Sequence, residues 1–375
     1  MTDCEILIVG GGMAGASIGA EILRGGAVDG NVILIEAEAQ PGYHATGRSV
    51  AFWEESYGGP AVQPLTTASG PLLENPDPIF SDRPLSSPRG ALHIGRAESA
   101  ETRDAFVAAF AASGVDLRSV PTDALAASVP GLRADWTIGL AEPSCADIDA
   151  GGLHQAYLRA FRRGGGEIRT DTRLLSAARD GGGWRVETSA GPLSCRTIVN
   201  AAGAWADVVA QACGVRPVGI APLRRTVVQL RVDPAPPAAM PVVMDLEGGF
   251  YFKPEGAGRI WLSPHDEAPS DPCDAAPEEL AVAEAIDRLQ QAVDWRIEAV
   301  ERRWAGLRSF APDRLPIYGR DAHVPDFFWF AGQGGFGIQT APAAALLGAA
   351  LLTGQPLPDA VSAIDPAPYR AARFG

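Results

Sequence analysis

Three observations predict an α/β chain that carries an inserted, mainly antiparallel β domain. The chain opens on an apolar run, Glu5-Ile-Leu-Ile-Val9, that passes directly into Gly10-Gly-Gly-Met-Ala-Gly15 and a helical pattern over residues 16–23. Similar apolar runs return at 197–199 and 327–331, each ending on small residues. Between 218 and 262 the texture changes to alternating strands and proline turns. A chain of 375 residues exceeds one compact core, so two domains are expected. The sequence divides into a discontinuous Rossmann-like domain (1–84, 142–217 and 300–375) and a second domain (85–141 and 218–299) flanked by helices.

The first 36 residues carry the sharpest signal. An apolar β-branched run reads as a strand buried on both faces. The glycines match G-x-G-x-x-G: Gly10 for the tight turn, Gly12 for backbone approach to a pyrophosphate, Gly15 for helix–strand packing. A second strand, residues 31–35, ends on Glu36, which can accept from ribose hydroxyls and repels a 2′-phosphate. The pyrophosphate itself suits the helix N-terminus, where free N–H groups and the dipole favour an anion.

The rest of the chain follows in order. Residues 37–49 form a long polar loop broken by Pro41, Gly42 and Gly47, a length typical of functional loops. Tyr57 is followed by Gly58-Gly59-Pro60, a hinge, and prolines and serines from 71 to 88 suggest a crossing between domains. Residues 90–95 and 137–141 read as strands, and 100–112 as a helix with Phe106, Val107 and Phe110 on one face. Asp149 caps a helix through Arg163, and 167–199 holds two or three short strands. Pro277 opens a helix to Val293 with Val282, Ile286, Leu289 and Val293 as its stripe. Residues 341–352 are apolar throughout but too short to span a bilayer, and read as a buried helix ended by Gly354.

Composition excludes several function classes. A net charge of −14 argues against nucleic acid and anionic membranes, whose phosphates demand a basic face. Five scattered cysteines without a C-x-x-C pair point to reduced thiols in a cytoplasm rather than to disulfides or zinc. His44 and His154 have no partners at metal or triad spacing, so no metal is assigned and both read as structural. Asp3 and Glu5 stand where a signal peptide would be positive.

Gly10-Gly-Gly-Met-Ala-Gly15, Asn200-Ala-Ala-Gly-Ala-Trp205, Trp304-Ala-Gly-Leu-Arg308 and Gly332-Gln-Gly-Gly-Phe-Gly-Ile-Gln339 together resemble the D-amino acid oxidase family of FAD flavoproteins. That family includes glycine oxidases, sarcosine oxidases and D-amino acid dehydrogenases. Likeness to the D-arginine dehydrogenases is added by Ala39-Gln-Pro-Gly-Tyr-His-Ala-Thr-Gly-Arg-Ser49, Phe250-Tyr-Phe-Lys-Pro254 and Gly337-Ile-Gln-Thr340. The resemblance implies FAD, with its ADP half on Gly10, Gly12, Met13, Ala14, Gly15, Glu36 and Ala37. Its ring would lie among Gly47, Arg48 and Ser49, then Ala201, Ala202, Gly203 and Trp205, and finally Gly334, Gly335, Phe336, Gly337, Ile338 and Gln339. Sarcosine oxidases tether the flavin by a cysteine near the position of Arg308; with none near there, FAD is expected to be non-covalent.

The implied reaction is oxidative deamination of a D-amino acid, a carboxylated amine, with oxygen or a quinone as final electron acceptor. The same fold would also serve a secondary amine or a 2-hydroxy acid. Arg308 matches the carboxylate clamp, for which a planar, permanently charged guanidinium is suited. Arg224 matches a second carboxylate-binding arginine, although Arg225 beside it faces the opposite way on a strand. Tyr251 matches a tyrosine on the same carboxylate, Tyr57 a lid, the Gly335 carbonyl an acceptor for the amine, and Gln339 a polar wall. Phe52, Trp53, Glu54 and Ala91 are the expected side-chain pocket. Ala91 stands where the arginine enzymes have a glutamate, Phe52 where they have histidine and Glu54 where they have threonine, so a side chain other than arginine is implied. Glu54 or Glu55 either supplies a replacement charge or is a solvated loop acid. A nicotinamide dehydrogenase would share the first 36 residues but leave the 332–337 loop unexplained.

Overall fold

The computed structural model describes residues 3–374 except Ala27 and Asp29. Its strands form sheets of eight, ten and three members. In the eight-stranded sheet Glu167–Arg169, Val32–Ile35, Cys4–Val9, Gly191–Asn200 and Phe327–Ala331 run parallel in that spatial order. The hairpin Leu174–Asp180/Gly183–Thr188 continues it antiparallel along the first half of Gly191–Asn200, and Ile317–Arg320 closes the other end. The region from 167 to 199 thus holds four strands, more than the two or three expected.

Alternation explains why these strands are apolar throughout. Ile6, Ile8, Val32, Leu34, Phe328 and Phe330 enter one cluster with the helices Met13–Arg24, Ala150–Arg163 and Ala341–Thr353. Leu7, Val9, Ile33, Ile35, Phe327 and Trp329 enter another beneath Ala206–Ala212 and the hairpin. Both faces are covered, as parallel sheets require. Asp149 caps its helix by accepting from the Gly152 N–H at 2.8 Å, and Gly354 ends the last helix in the left-handed region at φ +73°.

The ten-stranded sheet is built on Ala221–Asp233, paired along its whole length with Arg296–Phe310. Arg259–Ser263, Tyr251–Pro254, Val242–Asp245, Ala91–Arg96 and Trp136–Glu142 follow. All of these pairings are antiparallel except that of Val242–Asp245 with Ala91–Arg96. The helix Glu279–Ala292 covers one face through Val282, Ala285 and Leu289. The boundary expected at 300 falls inside Arg296–Phe310, which stays in this sheet to its end. A helix, Gln63–Glu74, occupies the start of the expected domain crossing, and Pro71 is accommodated in its last turn.

Gly10 and Gly15 fix the join between first strand and first helix. Gly10 has φ +107°, and a Cβ built on Gly15 would lie 1.9 Å from the Gly10 carbonyl oxygen. Gly15→Val therefore forces helix and strand apart. It is expected to lower unfolding stability by about 3 kcal/mol in a urea titration; an unchanged midpoint would show that the packing is not as tight as described.

Candidate active site

A single cleft runs from the C-terminal ends of the parallel strands to the face of the ten-stranded sheet. At its outer end the Glu36 carboxylate accepts from the Gly11 N–H at 2.8 Å and the Glu38 N–H at 2.9 Å. Those two bonds orient it toward the cleft and leave acceptor capacity over. A Cβ on Gly10 would lie 2.6 Å from the Ala201 carbonyl oxygen, so only glycine allows this approach. Thr46, which sequence reasoning missed, accepts the Met13 N–H at 2.9 Å and joins the 37–49 loop to the helix N-terminus. Behind the turn, His154 Nε2 lies 2.9 Å from the Gly11 carbonyl oxygen. Burial lowers the pKa of His154, so the neutral ring donates to that carbonyl.

Of the residues expected around a cofactor, Gly10, Gly12, Met13, Ala14, Glu36, Ala37, Arg48, Ser49, Ala201, Ala202, Gly203 and Trp205 line this cleft. So do Gly334, Gly335, Gly337, Ile338 and Gln339. Three do not. Gly15 packs beneath Gly10, the Gly47 N–H turns to the carbonyls of Gly42 and His44, and Phe336 is buried against Val62 and Phe310. His44, Thr172, Arg173 and Leu174 line the cleft without having been expected to.

At the inner end Arg308, Tyr57 and Gly335 converge. A Cβ on Gly335 would lie 2.0 Å from Arg308 Nη2 and 2.3 Å from the Tyr57 hydroxyl oxygen. Arg308 is only 14% exposed, and its nearest counter-charge is Glu267 Oε1 at 3.4 Å. Burial, reinforced by Arg314, pulls the Arg308 pKa down to about 9. This cation is held away from water without a full anionic partner.

The second arginine on the cleft is Arg225, not Arg224. Strand pairing sets Arg308 opposite Leu223 and Arg225 opposite Gly306, two positions apart on one face. Arg225 lines the cleft, donates from Nε to the Asp266 carbonyl at 2.8 Å, and leaves Nη1 unpartnered. Arg224 falls on the opposite face and pairs with Glu278. Tyr251 lines the cleft between Phe52 and His265, with ring centroids 5.8 and 5.5 Å away. Burial, with Arg225 adding, drives the His265 pKa down to about 3, so this imidazole is neutral.

Of the expected side-chain pocket only Phe52 lines the cleft. Trp53 alternates to the other side and donates to the Thr66 carbonyl at 2.7 Å. Ala91 is buried in a small cluster with Val242 and Tyr251. Glu54 is buried beside His93, and Glu55 accepts from Thr67 and Ser144 instead of facing the cleft. Gln339 does more than form a wall. Its Nε2 donates to the Tyr57 carbonyl at 3.1 Å and Thr66 Oγ1 at 3.0 Å, while its Oε1 accepts the Glu54 N–H at 3.2 Å. It thereby pins the segment that carries Tyr57.

A family model described as DAO, FAD dependent oxidoreductase, matches residues 5–351. The chain belongs to this DAO family. Among curated relatives, the hydrogen cyanide synthase subunit HcnC of Pseudomonas aeruginosa is 30% identical over 230 residues, covering 59% of this chain and 51% of that one. The match therefore spans about half the length of that relative. Glycine oxidase of the same organism is 28% identical over 265 residues, 68% of each chain. The crystal structure of glycine oxidase from Geobacillus kaustophilus superposes with a TM-score of 0.85 at 21% identity, covering 100% of this chain and 99% of that one. At that identity the likeness establishes the fold.

The DAO-family cofactor fits the residues present. The Gly10 approach and the Glu36 carboxylate suit a pyrophosphate and a ribose. Ala201, Ala202, Gly203, Gly334 and Gly335 offer the side-chain-free backbone that a flat ring requires. Among the described residues no helix is long and apolar enough to cross a membrane.

Because Arg308 is buried with incomplete compensation, its removal should relieve the fold. Arg308→Met is expected to keep or raise the melting temperature. Benzoate, a simple carboxylate, should raise that of the wild type and not of the variant. A marked drop in the variant without ligand would show that Arg308 serves the fold rather than an anion.

Proposed function

We propose that the chain is an FAD-dependent dehydrogenase or oxidase of small carboxylated amines, acting on a D-amino acid with an uncharged side chain. The observation that carries this reading is the convergence of Arg308, Arg225, Tyr251 and Gly335 at the inner end of the cleft. Arg308 and Arg225 grip the substrate carboxylate, and the Tyr251 hydroxyl adds a third donor. The Gly335 carbonyl accepts an N–H of the amine and orients it, while the two guanidiniums nearby disfavour positive charge on the nitrogen and so favour the neutral amine. With both ends of the molecule fixed, the Cα–H bond is aimed and the entropy of orientation is spent before reaction. A bound FAD would supply the hydride acceptor for Cα, and water would then convert the imine to a 2-oxo acid and ammonia.

Among the described residues the acids lining the cleft are Glu36 and Glu38, both at its outer end. A cationic side chain would therefore meet no counter-charge beside Phe52 and Tyr251, which is why an uncharged one is proposed. Tyr57 closes the inner end as a lid, with Gly58 and Gly59 behind it at φ +98° and +83°. Oxygen or a quinone takes the electrons onward. Five free cysteines suit a reducing, cytoplasmic setting. The cofactor is proposed to be non-covalent, although one thiol, Cys273, borders the cleft beside Ala275. Acid precipitation is expected to release all yellow colour to the supernatant; a yellow pellet would point to a tether.

Anaerobic mixing with D- and L-amino acids, sarcosine and 2-hydroxy acids is expected to bleach the flavin fastest with uncharged D-amino acids. Preferential bleaching by a secondary amine or a hydroxy acid would replace the proposed substrate. Loss of one charge-assisted contact costs about 1.5 to 3 kcal/mol, so Arg225→Met should raise the half-saturating substrate concentration by about 10- to 100-fold. Arg224→Met should change it by less than about twofold, since exposed ion pairs contribute little; the reverse ranking would refute the assignment of the two arginines.

A further inference from the structure

We propose that Glu54, His93 and Glu142 form a binding site for a divalent cation of the zinc class, set behind the segment that carries Tyr57. The three come from separate elements. His93 lies on Ala91–Arg96 and Glu142 ends Trp136–Glu142. Pairing sets Ala91 opposite Glu142 and His93 opposite Leu140, so His93 and Glu142 are diagonal neighbours on one face. Glu54 reaches that face from the residue after Phe52–Trp53. One donor atom from each of the three lies within 4.8 Å of the others.

The second observation is that these groups are buried with their hydrogen-bonding capacity largely unmet, His93 and Glu54 facing only each other. Glu54 is 1% exposed and Glu142 0%, and His93 is buried as well. Glu54 Oε1 and Oε2, His93 Nε2 and Glu142 Oε2 make no hydrogen bond, and neither does the buried Ser56 Oγ. His93 Nε2 stands 2.9 Å from Glu54 Oε1 without hydrogen-bond alignment. Glu142 Oε1 accepts the Glu55 N–H at 2.6 Å, which orients the carboxylate and leaves Oε2 facing the cluster. Among the described residues no lysine or arginine pairs with Glu54 or Glu142.

Two carboxylates removed from water call for positive charge or protons among them, and a divalent ion supplies the charge. One divalent ion would meet a donor atom from each of the three residues at once. Nitrogen and oxygen ligands of zinc lie at about 2.0 to 2.2 Å, which in a tetrahedron places ligand atoms roughly 3.3 Å apart. Drawn together to that spacing, the three donor atoms would fill three positions, with water in the fourth. Such an ion would tie the strand leading to Tyr57 onto Ala91–Arg96 and Trp136–Glu142 of the ten-stranded sheet. The site does not depend on the identity of the substrate. The spacing 54, 93, 142 forms no metal motif in the sequence; the sheet assembles it.

Flavin-loaded protein, stripped with chelator and titrated calorimetrically with zinc ion alone, is expected to take up one equivalent per chain. His93→Gln and Glu142→Gln should weaken that binding by at least about 100-fold. Absence of a saturable equivalent in the wild type, or equal binding by the variants, overturns the site. Zinc-edge absorption spectroscopy of the wild type, which needs no variant to fold, should show one imidazole among oxygen ligands; sulfur ligation or a shell without imidazole overturns it.

Discussion

The arrangement rests on one electrostatic constraint: two guanidinium groups, Arg308 and Arg225, held on the same face of a sheet, away from bulk water, at the closed end of a cleft. Glu267 lies within 3.5 Å of both and is already engaged by Arg314, so it compensates neither fully. Cations in that condition favour an anion that can enter. The long pairing of Ala221–Asp233 with Arg296–Phe310 is what makes this possible, because a rigid two-strand register fixes both side chains without help from the ligand.

The cleft has two ends because the chain has two sheets. The parallel sheet presents strand ends, a glycine turn and an acid, which are features for a dinucleotide. The antiparallel sheet presents a broad face of arginine and aromatic side chains. Gln339 sits between them. It bonds to the segment of Tyr57 while its own chain leads into the buried helix Ala341–Thr353, so the proposed lid is anchored to the cofactor domain. The cluster of Glu54, His93 and Glu142 joins the same segment through Glu54.

What the sequence revealed was what depends on neighbours along the chain. The strand, glycine turn, helix and terminal acid within residues 5–36 are local, and each has a distinct physical signature. The choice between Arg224 and Arg225 is not local. It is set by which face of Ala221–Asp233 looks into the cleft, and pairing with a strand some eighty residues away decides that. Ala91 enters the expected pocket through likeness to other sequences and Trp53 through its apolar bulk beside Phe52; packing and strand alternation turn both elsewhere. Thr46 gave no signal because its hydroxyl matters only once the loop has folded back to Met13. The helix Gln63–Glu74 was hidden by Gly70 and Pro71, both poor helix formers, the second forgoing a backbone hydrogen bond inside the helix.

The most direct test is a crystal structure of the flavin-loaded protein with a small carboxylate such as benzoate. The carboxylate should lie between Arg308 and Arg225, within hydrogen-bond distance of both and of Tyr251, with Gly335 alongside. A carboxylate bound elsewhere, with Arg308 still turned to Glu267 and away from the ligand, would contradict the account.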